Sequence, residues 1–197
     1  MTSADTAVDP RFVGSVLGRA FTTDPVFGWL MAGRSDLERR LTMVFRAFAE
    51  AADRTSDAQL VLDPASRGAS IWRPPDQWKA PTVDVLRNGP RLLRAFGPNV
   101  GRSLRLLTRV EKHHPKQPHW YLEAVGCVPE ARGLGVGPTL LSPVLDRCDA
   151  EGLPAYLESS NPRNIAFYER HGFVPMPLFP LPAGCPVITP MWRDPRP

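Results

Sequence analysis

With 197 residues, 43% hydrophobic and 22% charged, the chain has the apolar content for one substantial core, too little length for two large ones, and a composition that excludes general disorder. A net charge of +4 without a polybasic tail demands no nucleic-acid partner and is explained as well by a small anionic ligand. Three cysteines, Cys127, Cys148 and Cys185, lack metal-ligand spacing and favour a reducing cytoplasm; the N-terminus around Asp5 and Asp9 has no apolar signal segment, and no stretch reaches the about 18 apolar residues of a membrane span.

Asp9-Pro10 starts a helix, an N-cap followed by Pro in the first helical position, and Phe12, Val13, Val16, Leu17, Ala20 and Phe21 give it one apolar face. Thr22 to Pro25 stops it, and Val26 to Met31 follows as a short apolar segment. Ser35-Asp36-Leu37-Glu38 has the form of a capping box, so a second long helix is expected from there, with Leu37, Leu41, Val44, Phe45, Phe48, Ala49 and Ala52 as its buried face. Ala58–Leu62 and Ala69–Trp72 bracket turn chemistry at Asp63–Gly68 and predict an antiparallel hairpin. Residues 82 to 112 read as a helix broken by Gly89-Pro90 and again by Gly97-Pro98, with Asn99 as an N-cap. Arg102, Arg105, Arg109 and Lys112 share one face of it, which suits a solvated surface more readily than an anionic partner. His113, His114 and His119 cluster without a fourth ligand, so they are read as loop residues and no metal is expected.

The C-terminal half carries the chemistry. Trp120 to Val128 reads as a buried strand ended by Pro129, and the Gly-rich run Arg132-Gly133-Leu134-Gly135-Val136-Gly137 leads into a helix carrying Leu140, Leu141, Val144 and Leu145. A strand that enters a helix through such a turn aims unpaired N–H groups and the positive helix end at one point, which suits a phosphate. Pro138 excludes the Walker pattern, and the spacing of the three glycines excludes the dinucleotide fingerprint. Gly152 stops the helix, and Pro154–Glu158 predicts a strand parallel to the first. Pro162–His171 should be a short helix closed by Gly172. Phe173-Val174 and Val187–Trp192 should supply two last strands, at the edge because of the prolines between them.

The Arg-Gly-x-Gly-x-Gly run after Val128-Pro129, together with Asn161-Pro162-Arg163-Asn164-Ile165-Ala166-Phe167-Tyr168-Glu169-Arg170-His171-Gly172-Phe173, resembles the GCN5-related N-acetyltransferase (GNAT) superfamily, and within it the puromycin-type enzymes, from about Pro115 to Phe173. The resemblance implies an α+β acyl-CoA N-acyltransferase fold: a mixed, mainly antiparallel sheet, splayed at two central parallel strands containing Val125 and Leu157, with helices on both faces. It implies acetyl-coenzyme A as cosubstrate, without a metal, and acetyl transfer to a primary amine by direct attack on the thioester.

By the same resemblance Val125, Gly126 and Cys127 would pair with the pantetheine arm. The backbone of Arg132, Gly133, Leu134, Gly135, Val136, Gly137 and Pro138 would hold the pyrophosphate; Pro138 brings no N–H, so Thr139 must share that work. Asn161 and Asn164 are candidates for the arm, with helix capping the competing use of Asn161. Tyr168 would stand beside the sulfur and return a proton to it. For the base the residues themselves offer Glu123, two before Val125 and so expected on its strand face, and Glu158 on the neighbouring strand, or a water-mediated route.

Phe27 and Trp29, with Trp72 and Trp78, are expected to border the acceptor groove, and aromatic faces suit a small-molecule amine. A protein or peptide amine, or a non-catalytic coenzyme A sensor, are the alternatives. The expectation is thus one domain over residues 1–197, cytoplasmic, monomeric or homodimeric, with neither a membrane nor a nucleic acid as partner.

Overall fold

The computed structural model describes residues 8–79 and 81–196; residues 1–7, including Asp5 of the N-terminal reading, lie outside the described residues. Asp9 caps α1 (Pro10–Ala20), its carboxylate accepting the Arg11 N–H at 2.8 Å, and Pro10 occupies a first-turn position where its missing N–H costs nothing. Asp24 does the same for the short helix α2 (Pro25–Leu30), accepting from Val26 and Phe27 at 2.9 Å each. The apolar face of α1, with Val13 and Leu17 fully buried, packs against Leu41, Val44 and Phe45 of α3 (Leu37–Asp53).

No capping box forms at the start of α3. Asp36 sits in the left-handed region (φ 55°) and its side chain caps nothing. The cause is tertiary: Arg40 donates to the Ser35 carbonyl and to the carbonyls of Arg94 and Ala95, all at 2.9 Å, tying the approach to α3 to the end of another helix.

The expected hairpin forms between β1 (Gln59–Leu62) and β2 (Gly68–Arg73). Its turn is fastened by Asp63, whose carboxyl is drawn down to about 2, chiefly by hydrogen bonds from the Arg67 guanidinium. Helix α4 (Thr82–Phe96) runs through Gly89-Pro90, and only Gly97-Pro98 separates it from α5 (Val100–His113). Pro90 removes a single bond, to Leu86, and Leu86 is among the most exposed residues of the helix, where water serves the freed carbonyl. Asn99 stands at the start of α5 but donates to the Ala32 carbonyl instead of capping.

The remaining elements are β3 (Trp120–Cys127), α6 (Val136–Glu151), β4 (Ala155–Ser159), α7 (Ile165–Arg170), β5 (Val174–Pro175) and β6 (Thr189–Arg193). They complete a six-stranded sheet of order β1-β2-β3-β4-β6-β5, antiparallel throughout except for β3 and β4. Helices α1 and α3 cover one face, while α6 and α7 cover the other around Trp72, Trp120, Leu122, Leu157 and Met191. This is the α+β architecture expected, with one difference: β5 is at the edge, but β6 is internal between β4 and β5. Among the described residues no helix is long and apolar enough to cross a membrane.

A buried clasp holds β6 to α6. The guanidinium of Arg193, 2% exposed, meets the Asp149 carboxylate through bonds of 2.7 and 2.6 Å and gives its Nε–H to the His171 carbonyl. Removing the partly exposed Asp149 takes two charge-assisted hydrogen bonds from the buried Arg193, so Asp149→Ala should lower unfolding stability by about 1.5–3 kcal/mol, read as a lower urea midpoint at unchanged m-value. Hydrogen bonding from Arg193 holds the Asp149 carboxyl below its ordinary value. A depressed carboxyl contributes stability that is complete above its unfolded pKa, about 3.9, and lost as pH falls through the folded value. The wild type should therefore lose more stability than Asp149→Ala on acidification below about pH 4.

Candidate active site

The two parallel strands part after three residue pairs: Trp120 faces Ala155, Tyr121 faces Tyr156, Leu122 faces Leu157, and there the pairing ends. Beyond that point β3 stays paired with β2 and β4 with β6, so a fork opens between Glu123–Cys127 and Glu158–Ser159. Val125, Gly126 and Cys127 lie along its open edge.

A β-bulge sits at the mouth of the fork. Ile71 of β2 is opposite Ala124 and Trp72 opposite Leu122, which leaves Glu123 without a partner. The extra residue reverses the strand's alternation, and the expected common face of Glu123 and Val125 does not exist. Val125 is opposite Ser70, whose hydroxyl donates to Leu140 of α6, whereas Glu123 meets Arg73, which reaches Thr55 and Phe48 on the α3 side.

Arg73 is fully buried and donates to Glu123 at 2.8 Å. Burial pushes the Glu123 carboxyl up, and the guanidinium draws it partly back. Glu158 has a different setting. One oxygen, Oε2, accepts from the Tyr121 hydroxyl at 2.8 Å; the other, Oε1, lies 3.4 Å from His114 Nδ1. His114 continues to His119, Nε2 to Nε2 at 3.0 Å, and His119 Nδ1 is 2.6 Å from the Gln117 carbonyl. Trp78 stacks on His114 at 3.7 Å. Of the histidines read as loop residues, His113 ends α5 and stacks on Phe179, while His114 and His119 are buried. Burial is foremost, and the Glu158 carboxylate next, in raising the phenols of Tyr121 and Tyr156; burial lowers His119.

On the opposite side of the fork, Arg132 anchors the Gly-rich turn by donating to Ala20 O at 3.2 Å and Thr23 Oγ1 at 3.0 Å. Gly133 (φ 79°) and Gly135 (φ 77°) adopt the left-handed conformation and face open space. Among the described residues the N–H groups of Gly133, Gly135, Val136 and Gly137 have no protein acceptor, and no side chain caps α6; the Thr139 N–H closes the first turn of the helix and is not free for a ligand. Arg132 and Leu134 turn their N–H groups inward, to the carbonyls of Pro129 and Ala131, so these two expected donors are not free for a pyrophosphate. Pro138 has none to give. Gly137 and Gly126 serve packing as well: a Cβ at Gly137 would stand 2.8 Å from the Phe167 ring, and one at Gly126 would stand 2.8 Å from Ala20 Cβ.

Asn161 accepts the Arg163 N–H at 3.1 Å and so caps the turn Pro162–Asn164, while Asn164 precedes α7 without capping it. Tyr168 is 7% exposed, packed against Phe167 and Phe173. Its hydroxyl makes no hydrogen bond among the described residues yet is not one of the sealed, unpaired atoms, so it is not cut off from solvent. Burial first, then the charge of Asp24, raises the phenol, which therefore stays protonated across neutral pH. Asp24 is bonded to the Ser160 hydroxyl just beyond β4; burial raises its carboxyl too.

The four aromatic candidates separate. Phe27 belongs to a ring cluster with Phe21 and Phe45, at 5.5 and 5.1 Å. Trp29 lies under the Arg102 guanidinium at 5.6 Å, close to Gly184. Trp78 covers His114. Trp72 cannot border a groove: it is fully buried on the α6 face, its Nε1–H on Ser70. Arg73, Tyr121, Asp24, His114 and His119 were not anticipated. The Tyr-Leu-Glu triplet repeated at 121–123 and 156–158 was the available signal, because parallel strands in register set both triplets at one fork.

Residues 103–173 match the acetyltransferase (GNAT) family. An uncharacterized N-acetyltransferase of Schizosaccharomyces pombe is 31% identical over 180 residues, covering 85% of this chain and 72% of the relative. A crystal structure from Corynebacterium glutamicum, described as histone acetyltransferase HPA2 and related acetyltransferase, is 28% identical and superposes with a TM-score of 0.70 over 97% of this chain and 93% of its own. The C-terminal condensation domain of Ebony shares the fold alone, at 10% identity and a TM-score of 0.62, covering 94% of this chain and 93% of that one. The fork, the Gly-rich turn and these likenesses agree, and the chain belongs to the GNAT family of N-acetyltransferases.

Proposed function

We propose that the protein transfers the acetyl group of acetyl-coenzyme A to the primary amine of a small, partly aromatic molecule. The observation that carries this reading is the fork itself, an unpaired strand edge at Val125–Cys127 leading to a cluster of unpaired N–H groups at Gly133–Gly137. An extended amide-bearing arm suits the edge as an added strand would, and a pyrophosphate suits the N–H cluster at the start of α6. The amide N–H groups of Asn161 remain for the arm after its oxygen has capped the turn, and Asn164, which caps nothing, keeps its whole side chain for it.

Acyl transfer to an amine needs a base for the nucleophile and an acid for the departing thiolate. Tyr168, protonated and with its hydroxyl unbonded in the protein, is the acid. Arg73 occupies the Glu123 carboxylate and makes it a framing group, which leaves Glu158 as the base. The acceptor enters from the α2 and α5 side. There the segment from Met176 to Val187 lies against α5 through Phe179 on His113, and near Trp29 through Gly184. That cover narrows the approach, favouring a compact amine over extended peptide backbone.

A thioester-cleavage screen with aromatic amines, polyamines and short peptides at equal concentration tests the assignment. Aromatic small amines should give the highest turnover, and Trp29→Ala should reduce their preference. Peptide turnover above every small amine would transfer the protein to the peptide-modifying class; acetyl-coenzyme A binding without thiol release under any acceptor would make it a sensor.

A further inference from the structure

The hydrogen bonds around His114 and His119 fix where their protons are. The Gln117 carbonyl can only accept, so His119 carries a hydrogen on Nδ1; in its neutral form its Nε2 then accepts, and the hydrogen between the two rings belongs to His114 Nε2. The lone pair of a neutral His114 is thereby left on Nδ1, facing Glu158 Oε1 at 3.4 Å. Both atoms are sealed from solvent and neither has a hydrogen-bond partner. Two lone pairs facing each other in a dry site are unfavourable, and one proton placed between them satisfies both.

We propose that His114 and His119 are the relay that receives, through Glu158, the proton lost by the acceptor amine. The relay rests on the acetyl-transfer reading above and names two positioning residues for it. The N–H bond of the ammonium breaks as an O–H bond forms on Glu158 Oε2, the oxygen not sealed against His114. Turning about its Cγ–Cδ bond, the carboxyl presents that hydrogen to His114 Nδ1. As Nδ1 takes it, the hydrogen on His114 Nε2 passes to His119 Nε2, and the charge comes to rest on His119, whose Nδ1–H still faces the Gln117 carbonyl. Gln117 and Trp192, the latter packed edge-on to His119, line an open groove of about 690 Å³ at the far edge of the sheet, through which water can remove the proton.

The groups facing the pair are few. Glu158 and Tyr156 come from β4, Tyr121 and Glu123 from β3, Arg73 from β2, and Asp76 from the segment after β2. Only Glu158 lies across from a histidine nitrogen without a bond. The relay thus rests on the geometry of this one contact, two sealed atoms 3.4 Å apart with no other partner.

The test is the pH profile of kcat at saturating acetyl-coenzyme A and amine. In His114→Asn the plateau should fall about tenfold or more, with acetyl-coenzyme A affinity unchanged. His119→Gln keeps an acceptor for the His114 Nε2–H but cannot hold the proton. A merely structural contact would be rescued by Gln, whereas the relay predicts a lowered plateau with unchanged acetyl-coenzyme A affinity. Profiles of both variants that overlay the wild type overturn the relay while leaving acetyl transfer intact. A wild type that turns over no amine overturns the acetyl-transfer reading instead. Imidazole ¹⁵N NMR then decides the relay separately: the tautomers should be Nε2–H on His114 and Nδ1–H on His119, with His114 titration altered in Glu158→Gln. Identical titration in wild type and Glu158→Gln overturns it.

Discussion

Replacing Tyr168 with Phe should lower kcat by roughly 100- to 10,000-fold, the usual contribution of a positioned general acid, while acetyl-coenzyme A binds as before. The asymmetry follows from the structure. The ring is packed between Phe167 and Phe173, and Phe preserves that packing, whereas the hydroxyl holds nothing in the protein together. Its loss therefore costs the leaving thiolate its proton and costs the fold little. Calorimetric titration with acetyl-coenzyme A beside single-turnover measurement of thiol release separates the effects. A variant that releases thiol at the wild-type rate, with chemistry limiting, would return Tyr168 to a core role.

The Gly135→Val variant should fail at the opposite end of the site. At φ 77° a β-branched residue is strained whatever space surrounds it, so the turn must rearrange rather than accommodate the side chain. Nothing lies within 4 Å of the added Cβ, so the surrounding fold is spared. Each charge-assisted hydrogen bond is worth about 1.5–3 kcal/mol, and displacing two N–H donors from the pyrophosphate should weaken acetyl-coenzyme A affinity at least about 100-fold. Unchanged affinity, with the thermal midpoint also unchanged, would mean that the phosphates bind elsewhere.

What could be read from the residues alone was the part governed by local rules. The apolar run at Trp120, the glycines at 133 and 135 and the stop at Gly152 each impose a conformation on their own neighbourhood, and the fork between two parallel strands follows from their order. The departures all involve a distant partner. Ser35–Glu38 carries capping chemistry, but Arg40 takes the Ser35 carbonyl and binds it to the end of α4. Pro90 breaks helices in general, yet here its cost is one exposed carbonyl while the rest of α4 stays anchored on α3, through Asp84 on Arg54 and Arg91 on Glu50. The histidines at 114 and 119 have no periodic or spacing signature, because what brings their nitrogens to 3.0 Å is the path of the loop between α5 and β3.

Glu123 is the most instructive of these cases. Strand alternation placed it with Val125, but the bulge puts Val125 on the α6 face and leaves Glu123 on the face of Tyr121, where Arg73 claims it. Glu123 and Glu158 therefore share the face of Tyr121. Arg73 removes Glu123 from competition, leaving Glu158 free for its histidine.

The internal position of β6 bears on how the chain is made. Residues 155–159 find their second neighbour only in residues 189–193, while their first neighbour, β3, pairs with them over just three positions. During synthesis β4 therefore leaves the ribosome with one flank open and the other mostly forked, an adhesive edge that persists until residue 193 has emerged and Arg193 has reached Asp149. Ribosome pausing between Gly172 and Thr189 would lengthen that interval, and codon choice in this stretch should govern the yield of soluble protein more than codon choice anywhere upstream.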